Sequence, residues 1–122
     1  MNKKEEKEKK EETVFEKIIK KEIPADIIYE DDDCMAFKDL HPIAPTHILL
    51  IPKKHIAKIG DATEQDAQML GKLMTKISVI TNQLKINDNF RIIINNGAKA
   101  GQTVFHLHLH IISGRAMSWP PG

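Results

Sequence analysis

Val104-Phe105-His106-Leu107-His108-Leu109-His110-Ile111-Ile112 places three of the chain's six histidines at strict two-residue spacing, with leucines between them and isoleucines after. Alternation of this kind is the pattern of a strand buried on one side. It sets His106, His108 and His110 on one face and Leu107, Leu109 and Ile111 on the other. The leucine face suits a core. The histidine face does not, because neighbouring imidazoles lose hydration when covered and repel one another when charged. A purely structural strand is therefore a poor account of it. Two chemistries fit the residues, and the residues leave both open. Imidazoles two apart on a strand can share a metal ion. Alternatively, one imidazole is a nucleophile or base and its neighbours orient it, relay protons and hold an anion.

Working outward, Phe90-Arg91-Ile92-Ile93-Ile94 reads as a fourth strand that runs into Asn95-Asn96-Gly97. The loop Ala98 to Thr103 then returns the chain to the histidines, and its Gly101 either aims N–H groups at an oxyanion or simply makes the turn. Thr46 to Ile51 is nearly all apolar, as expected of a central strand covered on both faces. Ile27-Ile28-Tyr29 and Cys34-Met35-Ala36-Phe37 read as two shorter strands. The acidic run Glu30 to Asp33 between them has the wrong spacing for a calcium loop and reads as a hairpin turn. Thr13-x-x-Glu16 is a capping box opening a short helix that Ile23-Pro24 should end. Its apolar stripe is Val14, Phe15, Ile18 and Ile19. Thr63-x-x-Asp66 is a second capping box. Ala67, Leu70, Met74, Ile77, Thr81 and Leu84 follow it at three- and four-residue steps, widened by Leu73 and Ile80, giving a helix of about five to six turns with its methionines as core filler. The order helix, strand, strand, strand, long helix, strand, strand predicts an α+β domain with a mainly antiparallel five-stranded sheet and two helices.

A chain of 122 residues is expected to form one domain. Its net charge of +1 lacks the footprint of a nucleic-acid binder. The single cysteine, Cys34, excludes an internal disulfide framework and reads as a small strand residue. No run reaches the roughly 18 apolar residues of a membrane span, and no secretory signal is visible. The expected location is the cytoplasm, with the nucleus as a second compartment. Residues 1–12 are almost entirely Lys and Glu, with nothing to bury, and read as a disordered or frayed arm before a domain of residues 13–122.

The run His106-Leu107-His108-Leu109-His110-Ile111-Ile112 resembles the signature of the histidine triad (HIT) family, three histidines each followed by apolar residues. Phe15 to Ala25, Ala44-Pro45-Thr46-His47, Ile51-Pro52-Lys53-Lys54-His55 and the terminal Trp119-Pro120-Pro121-Gly122 resemble its HINT branch. Members of that branch are nucleoside phosphoramidases, also called protein kinase C-interacting proteins. The resemblance implies a homodimer with a continuous ten-stranded sheet, purine nucleoside monophosphate and phosphoramidate ligands, and no metal or other cofactor.

Residue by residue, it implies His108 as nucleophile, with His106, His110 and His47 as the other catalytic histidines. His106 and His47, helped by Asn95, would carry protons to the departing amine. His110, Gly101, Gln102, Thr103 and Val104 would lie at the phosphate, where Thr103 replaces the serine of most HINT-like sequences. Phe15, Ile18, Phe37 and Leu40 would line the slot for the base, and Asp39 would accept the ribose hydroxyls. Trp119 would reach the partner's site and influence the leaving group. His55 is assigned a structural role and His41 an exposed one; Lys53 and Lys54 read as a solvated pair. The competing functions are a nucleotide-binding scaffold with little turnover, a zinc enzyme, and a dinucleoside polyphosphate hydrolase from another HIT branch.

Overall fold

The computed structural model describes residues 12–122; the predicted arm therefore lies outside the described residues, apart from Glu12. Thr13 opens α1 (Val14–Ile19) as its capping box requires. The Thr13 hydroxyl accepts from the Glu16 N–H at 3.1 Å, and the Glu16 carboxylate accepts from the Thr13 N–H at 3.0 Å. The helix stops before Pro24, because Lys21 already takes the left-handed conformation (φ 64°) that turns a chain out of a helix.

β1 (Ile27–Glu30) and β2 (Cys34–Lys38) form a hairpin. Its turn is held by Asp31, whose Oδ1 accepts from the Asp33 and Cys34 N–H groups at 2.8 and 2.9 Å, as the turn reading of the acidic run expects. β3 (Thr46–Pro52) pairs with β2 and with β5 (Leu109–Ser113), and β4 (Arg91–Ile93) lies outside β5. The five strands run in the order β1-β2-β3-β5-β4, and every neighbouring pair is antiparallel. The Asp66 carboxylate accepts from the Thr63 N–H at 2.9 Å, but this second box opens a single 3-10 turn, Glu64–Asp66. The long helix α2 (Ala67–Gln83) follows it directly, a little shorter than predicted.

Strand alternation divides the core into two layers. Cys34 and Ala36 of β2, Ile48 and Leu50 of β3, and Leu109 and Ile111 of β5 pack with Leu73, Ile77 and Ile80 of α2. The other faces of β2 and β3 present Met35, Phe37, Leu49 and Ile51 to Phe15 and Ile18 of α1. β3 is thus central and doubly covered, as its apolar run predicts.

Three expectations need correction. The histidine strand begins only at Leu109: the β3–β5 ladder runs from Thr46↔Ser113 to Leu50↔Leu109, and beyond it Ile51 and Pro52 of β3 pair with β2 alone. Before it the chain is irregular and held by other bonds, such as Leu107 N–H to the Ile56 carbonyl at 2.7 Å. Second, the histidine face is not left open. His106 and His108 are buried, with the Phe15 ring edge-on to His108 at 5.1 Å between centroids, because α1 lies over that side of the sheet. Third, Met74 is 52 % exposed and is no core filler; the buried stripe of α2 is Leu73, Ile77, Ile80 and Thr81.

The two layers give a test of the core assignment. Ile111→Ala empties a fully buried position at the centre of the sheet and is expected to cost about 2–5 kcal/mol. Met74→Ala is expected to stay within about 0.5 kcal/mol, as exposed positions do. Urea denaturation with an unchanged slope checks both values, and equal costs would contradict the layering.

Candidate active site

The β3–β5 register sets His47 opposite Ile112 and Leu49 opposite His110, so His47 and His110 are diagonal neighbours on the α1 face of the sheet. Their rings meet, with His47 Nε2 2.9 Å from His110 Nδ1. The hydrogen between them is assigned by a third group. The Ile43 N–H donates to His47 Nδ1 at 3.1 Å, which leaves Nε2 as the protonated nitrogen of His47. His47 therefore donates and His110 Nδ1 accepts, so neutral His110 carries its own hydrogen on Nε2. Asp39 closes this corner: its N–H donates to the His47 carbonyl at 3.0 Å, and its Oδ2 lies 3.4 Å from His47 Nε2.

His108 is oriented differently. Its Nδ1 lies 2.7 Å from the His106 carbonyl oxygen. A carbonyl only accepts, so Nδ1 carries the hydrogen and Nε2 keeps a free lone pair. By the same logic His106 donates from Nε2 to the Pro52 carbonyl at 2.7 Å, and its Nδ1 has no partner. His106 thus contributes its carbonyl to the site, while its ring, fully buried, lies beside those of Phe15 and His55. The His55 ring lies 5.2 Å from that of His106, and its Nε2 is 3.0 Å from the Phe105 carbonyl.

Burial favours the neutral form of all three histidines. It pushes His106 and His108 below the usual imidazole range, against the raising effect of their carbonyl partners. His110 is lowered to about 4, by burial first and then by the neighbouring His108 and His47. A neutral His108 with a bare Nε2 is a nucleophile ready at neutral pH, and a neutral His110 with an Nε2–H is a hydrogen-bond donor.

The loop before the histidines is braced from within. Gly97 and Gly101 adopt φ of 92° and 100°, conformations open chiefly to glycine. Gly101 and Gln102, predicted at the phosphate, spend their N–H groups on the Ala98 and Gly97 carbonyls. The Gln102 amide is also engaged: Oε1 accepts from Gly97 N–H, and Nε2 donates to the Ala57 and Val104 carbonyls. Thr103 and Val104 have no acceptor for their N–H groups among the described residues. A Cβ on Gly101 would lie 3.6 Å from Asn95 Nδ2, which places Asn95 at this loop.

Phe15, Ile18 and Phe37 form one apolar patch beside the histidines, with the Phe15 and Phe37 rings edge-on at 5.4 Å. Leu40 does not join it closely; it stands 87 % exposed on the rim after β2. Trp119 is 84 % exposed and does not rest on its own core. His41 is exposed. Lys53 and Lys54 pair with Glu30 and Asp66 at 2.8 and 3.0 Å. Cys34 is buried, its thiol pushed up to about 12 by burial, so it is no nucleophile. The groups that sequence reading missed are main-chain atoms: the Ile43 N–H and the His106 and Pro52 carbonyls. No residue type announces them.

Asp39, His47 and His110 bring three possible metal-ligand atoms within 4.8 Å of one another. The hydrogen bonding does not suit an ion there. His47 would have to bind through Nε2, but Ile43 holds the hydrogen on that nitrogen. Moving it to Nδ1 would turn two N–H groups against each other.

Residues 20–117 match the family model of the HIT domain. An uncharacterised HIT-like protein of Synechocystis is 58 % identical over 92 % of this chain and 98 % of its own length. A maize protein named 14 kDa zinc-binding protein is 45 % identical over 90 % of this chain and 88 % of its own. The crystal structure of a HIT family hydrolase from Legionella pneumophila superposes with a TM-score of 0.88 at 40 % identity, covering 91 % of this chain and all of that one. No helix among the described residues is long and apolar enough to cross a membrane.

The lowered histidines fix a pH dependence. A histidine of ordinary pKa, about 6.5 when unfolded, takes up its proton before the buried one does, so the unfolded state binds more protons in that interval. Stability is then fully present above about pH 6.5 and falls as pH drops towards 4. Imidazole NMR titration is expected to keep His110 neutral at pH 6 with a midpoint near 4. A midpoint at the ordinary value would contradict the geometry.

Proposed function

Because the chain belongs to the HIT family, with hydrolases among its structural neighbours, we propose that it is a HINT-branch phosphoramidase. It would cleave a purine nucleoside 5′-phosphoramidate to the nucleoside monophosphate and an amine, as a homodimer. The observation that carries this reading is the 2.7 Å bond from His108 Nδ1–H to the His106 carbonyl, which leaves Nε2 bare.

His108 Nε2 attacks phosphorus, forming an N–P bond while the P–N bond to the amine breaks. The bonded carbonyl steadies the imidazolium that results. Non-bridging oxygens take hydrogen bonds from His110 Nε2–H and from the Thr103 and Val104 N–H groups. Donors fixed in place before charge develops are worth about 3–4 kcal/mol each. The amine departs with a proton drawn from solvent, because the neutral His47–His110 pair could give one up only by leaving an imidazolate. In the second step water attacks phosphorus, releases His108, and returns that proton to solvent. Phe15, Ile18 and Phe37 back the base, with Leu40 as its outer lip. The Asp39 carboxylate receives the ribose hydroxyls, a contact suited to two vicinal donors. Asn95 and Gln102 hold the phosphate loop around Gly101. Trp119, exposed on its own subunit, would border the partner's site and limit the leaving group.

An adenosine 5′-phosphoramidate carrying a fluorescent amine tests this. Wild type is expected to release the amine with or without EDTA, and His108→Ala to lose at least about 10³ in kcat. Acid-quenched wild type should carry a nucleoside monophosphate on His108, seen by mass spectrometry. Loss of turnover in EDTA would replace the proposal with metal chemistry, and nucleotide binding without turnover would replace it with a binding protein.

A further inference from the structure

We propose that Arg115 is a positioning residue for the His47–His110 pair, acting through the main chain of Ile43. Arg115 Nε donates to the Ile43 carbonyl at 3.0 Å. The N–H of the same residue donates to His47 Nδ1 at 3.1 Å, and His47 Nε2 donates to His110 Nδ1 at 2.9 Å. Three hydrogen bonds in series thus join the segment after β5 to the donor that faces the phosphoryl group.

Little else fixes Ile43. Its side chain is 57 % exposed, and Leu40, His41 and Pro42 before it also point to solvent. Packing therefore does not decide where its N–H lies. The neighbouring residue of the tail grips the same loop from its other end. Gly114 has φ 97°, and a Cβ there would lie 2.8 Å from Cβ of Pro45. Gly114 and Arg115 together hold residues 43–45 against the start of β3.

The consequence is electronic as well as geometric. Without a fixed Ile43 N–H, only the Asp39 carboxylate, 3.4 Å from Nε2, still favours the hydrogen there, and the Nδ1–H tautomer of His47 becomes accessible. When it sits on Nδ1, His110 Nδ1 no longer meets a donor, and the His110 hydrogen moves there too. Nε2 of His110 then turns a lone pair, not a hydrogen, towards the phosphoryl oxygens. Phe15, Ile18 and Phe37, which back the base, lie outside this series of bonds, so the loss falls chiefly on kcat. This inference rests on the phosphoramidase reading for its kinetic half only.

The test uses 15N-histidine-labelled full-length protein without ligand, read by long-range 1H–15N imidazole spectra, beside phosphoramidate kinetics. In wild type, His47 is expected as a single Nε2–H tautomer. Arg115→Met keeps the aliphatic stem and removes the donor. It is expected to show both His47 tautomers and a kcat about ten- to a hundredfold lower, with KM within about twofold. Its melting temperature should move by less than about 3 °C, as for a surface change. Arg115→Lys, which restores a donor, is expected to recover the single tautomer and most of kcat. Arg115→Gln is read in the same way should the Met variant not fold. A single Nε2–H tautomer in the Met or Gln variant overturns the proposal whatever the activity does, and so does loss of kcat that tracks unfolding. If wild type does not turn over phosphoramidates, the function fails, while the tautomer change still decides the role of Arg115.

Discussion

The pairing of β3 with β5 is the constraint on which the site depends. It sets one strand that opens with His47 against another that carries His110, in a register that puts both rings on the same face. A slip of one residue would send His110 into the α2 layer and bring Ile111 to the site, because side chains alternate strictly along a strand. The register is fixed by burial on both sides. Ile48, Leu50, Leu109 and Ile111 face α2, and Leu49 and Ile51 face α1. A sheet apolar on one side only would hold these rings less exactly in line.

Main-chain atoms finish what the ladder begins. Three of the four histidines take their tautomer from a peptide group: His108 from the His106 carbonyl, His106 from the Pro52 carbonyl, His47 from the Ile43 N–H. His110 takes its own from His47. A peptide group neither titrates nor rotates freely, so these assignments hold across the pH range in which the rings stay neutral. The nucleophile and the donor are thereby kept distinct although they are the same residue type two positions apart.

This explains what sequence alone reveals here. The strands, both capping boxes, the hairpin turn at Asp31 and the central place of β3 follow from periodicity and turn chemistry, which are local. The triad spacing makes the chemistry stand out because three imidazoles on one face have no ordinary structural use. The early start predicted for the histidine strand fails for a non-local reason, since the alternation persists through Leu107 while the ladder to β3 stops at Leu50↔Leu109 and the Leu107 N–H goes to the Ile56 carbonyl. Burial of the histidine face depends on where α1 packs, and no pattern within residues 104–112 encodes that. The turning of the His106 ring towards Pro52 depends on a carbonyl contributed by a distant residue, and the use of the Gly101 and Gln102 N–H groups inside their own turn leaves no mark in residue type.

Arg91 gives the open side of the sheet a further property. It begins β4, one of the two edge strands, and its guanidinium holds the Ser118 carbonyl at 2.9 Å. A charged residue on such an edge discourages indiscriminate strand addition. The same side chain therefore guards the edge and tethers the tail that carries Arg115. Whatever docks along β4 must share Arg91 with that tail, and by reciprocity whatever tightens the tail alters the affinity of the edge.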